Sequence, residues 1–442
     1  MSDELQKFPA PQNGPHSGPY ERNLMRIPLV LAMAVSLSTC TAFAQQPVSP
    51  VVEAMLVQGK LSDAEQQLTT QLANNNETGG EDPNAQFALG VVQTLQGVEG
   101  LMQSLHEYGL NPAWESMLPF VRLPVPKNDD PTPLTNEAFR QMIADFSASL
   151  ARAEATLAKI PEGAEVKVPI PVGMIRMDFD SNGTVDEKEA LWIVFNRVFS
   201  QRRRNAGLTQ EQAEQFVIGF DTADAYWLRG YCHVLQALCD IHLAYETKEL
   251  HDRTAHLFFP KAKMKYHYAR RAEVFTNIAD AIAFIHLIKL PVVEPERLAS
   301  AREHMLKMIE LSRQNWEAIQ AETDDDREWL PAPQQTQTAI PGMRITGGMV
   351  KSWDKTLGEF ERMLNGEKLA PFWREPAKMK GRRGINLKKV FTEPQPLDLI
   401  LWAQGSGLEP FLEEGEITDP QLWREIQRTF QGRFVMFAFW IN

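Results

Sequence analysis

The stretch DTADAYWLRGYCHVLQALCDIHLAYE, Asp221 to Glu246, decides how this chain is to be read. Apolar residues recur through it at helical spacing, and no proline interrupts them. A helix that is apolar on most faces has no face to give to water, so this one, predicted over 223–245, belongs in the middle of a bundle. A second apolar stretch, 261–290, predicts another such helix.

Working outward, helical periodicity governs the chain after residue 50, and strand-like alternation is scarce. Further helices are predicted over 136–159, 209–215 and 295–321, the second of them capped by Thr209. Prolines break the pattern at 118–133, LPFVRLPVPKNDDPTP, and the stretch 323–348 reads as a linker or surface loop. Residues 347–442 mix short helices with turns marked by Pro and Gly and end in the apolar FVMFAFWIN. The expected fold class is mainly α, an irregular multi-helix bundle or array. Four regions follow: 1–44 as an N-terminal extension and export signal, 45–160 as helical hairpins, 161–330 as the central helical core, and 331–442 as a mixed region packed on that core.

With 442 residues and 43% hydrophobic content the chain can bury a large core. Residues 21–46, ERNLMRIPLVLAMAVSLSTCTAFAQQ, have the three parts of an export signal: Arg22 and Arg26, an apolar run from Ile27 to Leu37, and small residues closing at Ala44. The polar residues ahead of it make Met25 an alternative start. The expectation is an exported protein, periplasmic or secreted, cleaved after Ala44; lipidation at Cys40 is the weaker alternative because Thr39 fits that box poorly. No later stretch is long and apolar enough to span a bilayer, so an integral membrane protein is not expected. Lys and Arg number 45 against 57 Asp and Glu, a net charge of -12. An acidic chain of this kind is a poor nucleic-acid binder and a fair partner for divalent cations. Beyond Cys40, only Cys232 and Cys239 remain; seven residues apart on one helix, they lie about 10 Å apart along its axis, beyond disulfide reach.

Such a fold gains from a metal fastener, and DFDSNGTVDEKE, 178–189, offers one. Counting Asp178 as position 1, oxygen-bearing residues fall at 1 (Asp178), 3 (Asp180), 5 (Asn182), 7 (Thr184, through its backbone carbonyl), 9 (Asp186) and 12 (Glu189), with Gly183 at 6. Calcium is a hard cation that takes six to eight oxygens at about 2.3–2.6 Å, and a loop turning sharply at glycine can point alternate residues at one centre. Val185 at position 8 supplies the apolar residue that packs behind the turn. These twelve residues resemble the EF-hand calcium-binding family, and the resemblance implies Ca2+ ligand roles for Asp178, Asp180, Asn182, Thr184, Asp186 and Glu189. The entry departs from that family: Pro169, Pro171 and Gly173 predict an extended approach where an EF-hand has a helix. An exit helix is expected to start near Asp186 and run to about Arg203, with Leu191, Phe195, Val198 and Phe199 as its stripe. AETDDDREW (321–329) supplies no second loop, because its acids stand in a row without a glycine. Residues 55–93 resemble tetratricopeptide repeats through Gly59, Ala64, Leu68, Pro83 and Leu89-Gly90, but the insertion 76–81 breaks the period; a helical hairpin is expected there.

Other polar residues set among apolar ones are Asp240 and His242, with Asp280 and His286 on the partner helix; they are read as structural pairs or as a site between the central helices. A soft-metal site using the cysteines with His233 and Asp240 is a lesser option. His251, His256 and His267 have no diagnostic spacing, and the basic run 374–389 is read as a solvated loop offsetting nearby acids. Ser406 lacks the glycine that a nucleophile elbow needs at Gln404, and no catalytic motif is recognised. The leading expectation is an exported calcium-binding module in which the ion is a fastener rather than a trigger. The alternatives are an enzyme of unknown reaction with a site between the central helices, metal-dependent or not, and a docking module that binds a protein partner through its N-terminal helices.

Overall fold

The computed structural model describes residues 50–111, 125–193, 196, 209–265, 274–325, 327–338, 344–376, 381–430 and 438. The export-signal reading, most of the exit-helix stripe, His267 and nearly all of the apolar C-terminal tail lie outside them. The fold is mainly helical, an irregular array with small sheets.

The first part is three helices, α1 Pro50–Val57, α2 Leu61–Thr78 and α3 Pro83–Glu107, followed by α4 Asn136–Leu157. Asp82 starts α3 by accepting from Ala85 N, with Pro83 in the first turn, and Thr135 caps α4 through Ala138 N. The hairpin expected at 55–93 forms, with α2 packed on α3. Strand β1, Lys167–Ile170, pairs antiparallel with β2, Ile218–Asp221, which follows the short helix α5, Gln210–Glu214.

Next comes the stretch that decided the reading, α6 Thr222–Leu243. Asp221 and Asp224 form a reciprocal capping box that fixes its start. Helix α6 packs along α9, Pro295–Ala321, and also on α4, so it occupies the middle of the array as its apolar faces require. Between them lie α7 Lys248–Thr254, α8 Val274–Leu287 and β3 Lys289–Leu290.

The second apolar stretch behaves differently. Residues 261–265 are not helical, the described helix begins at Val274, and Ile278, Ile282 and Ile285 are 53%, 62% and 49% exposed. Helix α8 is peripheral, touching α7 and a C-terminal helix rather than the centre. The linker reading of 323–348 is corrected too: Trp329, Leu330 and Ala332 are buried in the main core beside Phe220 and Trp227. One apolar cluster draws on residues from Val52 to Leu364.

The C-terminal part comprises α10 Gly347–Leu364, β4 Ala370–Pro371, β5 Arg383–Ile385, α11 Leu387–Thr392, β6 Leu397–Asp398, α12 Leu399–Gln404, β7 Leu412–Glu414 and α13 Pro420–Thr429. It carries its own small core of Phe372, Ile385, Leu408 and Phe411. Among the described residues no helix is long and apolar enough to cross a membrane.

Candidate metal centre

The approach to the acidic loop is extended, as its prolines dictate. After β1 a single 3-10 turn, Val172–Met174, leads to Arg176, which bridges antiparallel to Ala190 across the base of the loop. Ile175, Met177 and Phe179 are buried and anchor the entry by their side chains. The exit differs from expectation: it is a 3-10 turn, Glu187–Glu189, broken at the extended Ala190 before helix resumes at Leu191. Asp186 starts the turn by accepting from Lys188 N at 2.6 Å.

Carboxylate oxygens of Asp178, Asp180 and Glu189 lie within 4.8 Å of one another. Opposed oxygens around calcium stand roughly 5 Å apart, twice the metal–oxygen distance, so the three are spaced for one shell. The turn is tied by its own backbone: Asn182 N and Gly183 N donate to Asp178 at 3.1 and 2.9 Å, and Thr184 N to Asn182 Oδ1 at 2.7 Å. Gly183 makes this possible with φ +76, a left-handed conformation that costs a side chain dearly. Glu189 is buried, and each of its oxygens accepts a backbone N–H, from Phe179 at 2.8 Å and Asp186 at 2.9 Å. Among the described residues no cationic side chain forms an ion pair with Asp178, Asp180, Asp186 or Glu189. Burial and the neighbouring Asp180 and Asp186 push the Glu189 carboxyl above its ordinary range.

Two residues that sequence spacing left unmarked hold the loop from outside. Glu99 and Gln103, four apart on α3, grip Asp178 from both sides: Asp178 N donates to Glu99 Oε1 at 2.8 Å, and Gln103 Nε2 donates to Asp178 O at 2.8 Å. Helix α3 therefore fixes the backbone of Asp178, where the loop begins. Glu99 is pushed up to about 7, first by burial and then by Asp178 and Glu189. Val185 packs on the α1–α2 turn so closely that a Cβ on Gly59 would come 2.5 Å from its Cγ2. Arg176 N donates to Leu56 O at 3.2 Å, binding the loop base to the same turn. A cleft of ≈ 610 Å³ between α3 and α4 opens beside the loop, with Asp180 and Ser181 on its rim, and gives solvent a route to it.

The other polar residues have separate partners. Asp240 meets Arg297 at 3.0 Å, Asp280 meets His256 at 3.2 Å, and His242 lies edge-on to Phe139 with burial pushing it down to about 4. They do not assemble into one centre. Burial pushes the Cys232 and Cys239 thiols up to about 12, which keeps them protonated and poor ligands. In the basic run, Arg383 pairs with Glu375 and Glu409 and Lys389 with Glu413, offsetting acids as expected.

A second group of carboxylates has no counterpart in the sequence reading. Asp221, Glu322 and Glu328 also bring oxygens within 4.8 Å of one another, because the stretch after α9 folds against the start of α6. Glu322 is pushed up to about 9, by burial first and Asp221 next, and Asp224 beside it goes well above its ordinary range.

Against models of protein families, curated proteins and solved structures, the chain finds no match.

Proposed function

We propose that this chain is an exported protein whose loop 178–189 binds one calcium ion and uses it to fasten the fold. The reading rests on the convergence of Asp178, Asp180 and Glu189 within 4.8 Å in a loop whose turn depends on Gly183. Asn182, the Thr184 carbonyl and Asp186 complete the ligand set that the EF-hand resemblance implies, with position 9 commonly acting through water. Export is supported by the signal-like residues 25–44.

The surroundings favour a fastener over a sensor. A sensor opens a pair of flanking helices, whereas this loop is entered through extended backbone after a strand, and a 3-10 turn and the extended Ala190 separate it from the helix that resumes at Leu191. Its contacts run to α3 and to the α1–α2 turn, so an ion here would neutralise repulsion among four acids while joining three parts of the chain. Extracellular sites can be weak, with dissociation constants of about 0.1–1 mM; at ten times that constant, binding adds roughly 1.4 kcal/mol of stability. Titration calorimetry on chelator-treated protein is expected to give one calcium per chain, and removing it should lower the melting temperature with little change in helical circular dichroism. No calcium uptake, or a broad helical rearrangement on loading, would count against the proposal.

A further inference from the structure

Helices α4, α6 and α9 enclose a polar chain remote in role from the calcium loop. On its axis His233 of α6 and His304 of α9 face each other with their Nδ1 atoms 2.8 Å apart. Behind each ring stands a carboxylate: His233 Nε2 faces Glu154 Oε1 at 3.5 Å, and His304 Nε2 faces Asp240 Oδ2 at 3.7 Å. Both carboxylates are held by arginines, Arg229 on Glu154 and Arg297 on Asp240, each at 3.0 Å.

That arrangement favours one tautomer of each ring. A carboxylate behind Nε2 favours a proton on that nitrogen, which leaves the Nδ1 lone pair facing inward. Applied to both rings, it sets two lone pairs against each other at hydrogen-bond distance. One proton between them relieves the repulsion, either as an added charge or through a shift of one ring's own proton from Nε2 to Nδ1, and the clamp can hold one there but not two. Carboxylate–histidine pairs with the inner nitrogens converging are also the arrangement by which proteins orient imidazoles toward a metal.

We propose that His233 and His304 form a two-histidine clamp for one borderline transition-metal ion of the zinc or copper class, which takes the place of the shared proton. Two metal–nitrogen bonds of about 2.0–2.1 Å at a tetrahedral angle separate the nitrogens by roughly 3.3 Å, so the rings need to part by only about half an ångström. Where the shared proton is present it leaves to solvent as the ion enters, Arg229 and Arg297 stay paired with Glu154 and Asp240, and water completes the shell. The side chains are 12% and 21% exposed, so neither ring is sealed from solvent. Calcium is not the guest, because imidazole nitrogen suits zinc and copper and calcium takes oxygen. Asp240, Glu154 and the arginines act as positioning residues.

The test uses the full chain with calcium saturating, so that the acidic loop is occupied, and cobalt(II) as the probe. One visible d–d band saturating at one cobalt per chain, and displaced by zinc, is expected. His233→Gln and His304→Gln should each weaken binding by more than roughly 100-fold, Glu154→Gln by about 10- to 100-fold, and Asp178→Asn not at all. A band untouched by the two histidine variants, or no one-to-one uptake, overturns the clamp. Should either histidine variant fail to fold, zinc-edge absorption on the unmodified protein decides: imidazole scattering from two rings supports the proposal, and sulfur or oxygen scattering without it refutes the clamp.

Discussion

Among the described residues three carboxylates meet within 4.8 Å at two places, and their surroundings treat them differently. In the loop 178–189, backbone N–H groups of Phe179, Asn182, Gly183 and Asp186 donate to Asp178 and Glu189. Between Asp221, Glu322 and Glu328 burial dominates, and Glu322 goes up to about 9, so negative charge is relieved by protons. Converging acids are thus not a cation site by themselves. A turn at Gly183 that lays backbone N–H groups on Asp178 and Glu189 distinguishes the loop, whereas in the buried group burial and Asp221 hold Glu322 protonated.

The largest effect that can break this comparison comes from Glu189→Gln, which removes the closing carboxylate while keeping its shape. Calcium affinity is expected to fall by at least the roughly 100-fold that losing even an outer partner can cost, and calcium should then no longer raise the melting temperature. Glu322→Gln should leave calcium affinity unchanged. If the two substitutions exchanged these outcomes, the assignment of ion and proton to the two clusters would be reversed.

The docking of the loop gives the next effect. Gly59 has φ +69, and a Cβ there would sit 2.5 Å from Val185. Gly59→Ala therefore combines left-handed strain of about 1–2 kcal/mol with a clash against the loop. A loss of roughly 2 kcal/mol in urea unfolding is expected, with calcium binding weakened as well because Val185 lies within the loop. Unchanged calcium affinity in this variant would mean that the α1–α2 turn does not hold the site.

The fold class was legible because α6 states it outright: apolar on most faces, it must be central, and packing against α4 and α9 meets that demand. The same argument misplaced 261–290, since Ile278, Ile282 and Ile285 look the same in sequence whether or not a neighbour covers them. The convergence of Asp178, Asp180 and Glu189 was readable because their spacing is local, set within one turn around Gly183. Glu99, Gln103 and Gly59 were not, since they reach the loop through tertiary contacts 75 residues or more away in sequence, where no period connects them. Likewise Glu322 and Glu328 carry no mark until the chain after α9 returns to the start of α6, and His304 gains its meaning only opposite His233.

The smallest effect is also the one that reads the proton-holding cluster directly. Glu322 has an ordinary carboxyl value of 4.5 when unfolded and about 9 when folded, so between those limits the folded state binds the extra proton. Linkage then makes its contribution to stability complete below about pH 4.5 and lost progressively as pH rises toward 9. His242 slopes the other way: held at about 4 against an unfolded value of 6.5, its contribution is present above pH 6.5 and lost as pH falls toward 4. Wild-type unfolding free energy, measured at saturating calcium, should therefore decline from pH 6.5 to 8 as well as in acid. Glu322→Gln keeps a neutral side chain at every pH and should flatten the alkaline limb, gaining on the order of 1 kcal/mol at pH 8 once solvent screening of this half-buried group is allowed for. Its acid limb should be unchanged, because His242 is untouched. Parallel alkaline limbs in the two proteins would mean that the Asp221–Glu322–Glu328 group is already neutralised by something other than a proton, and the two clusters would then be alike after all.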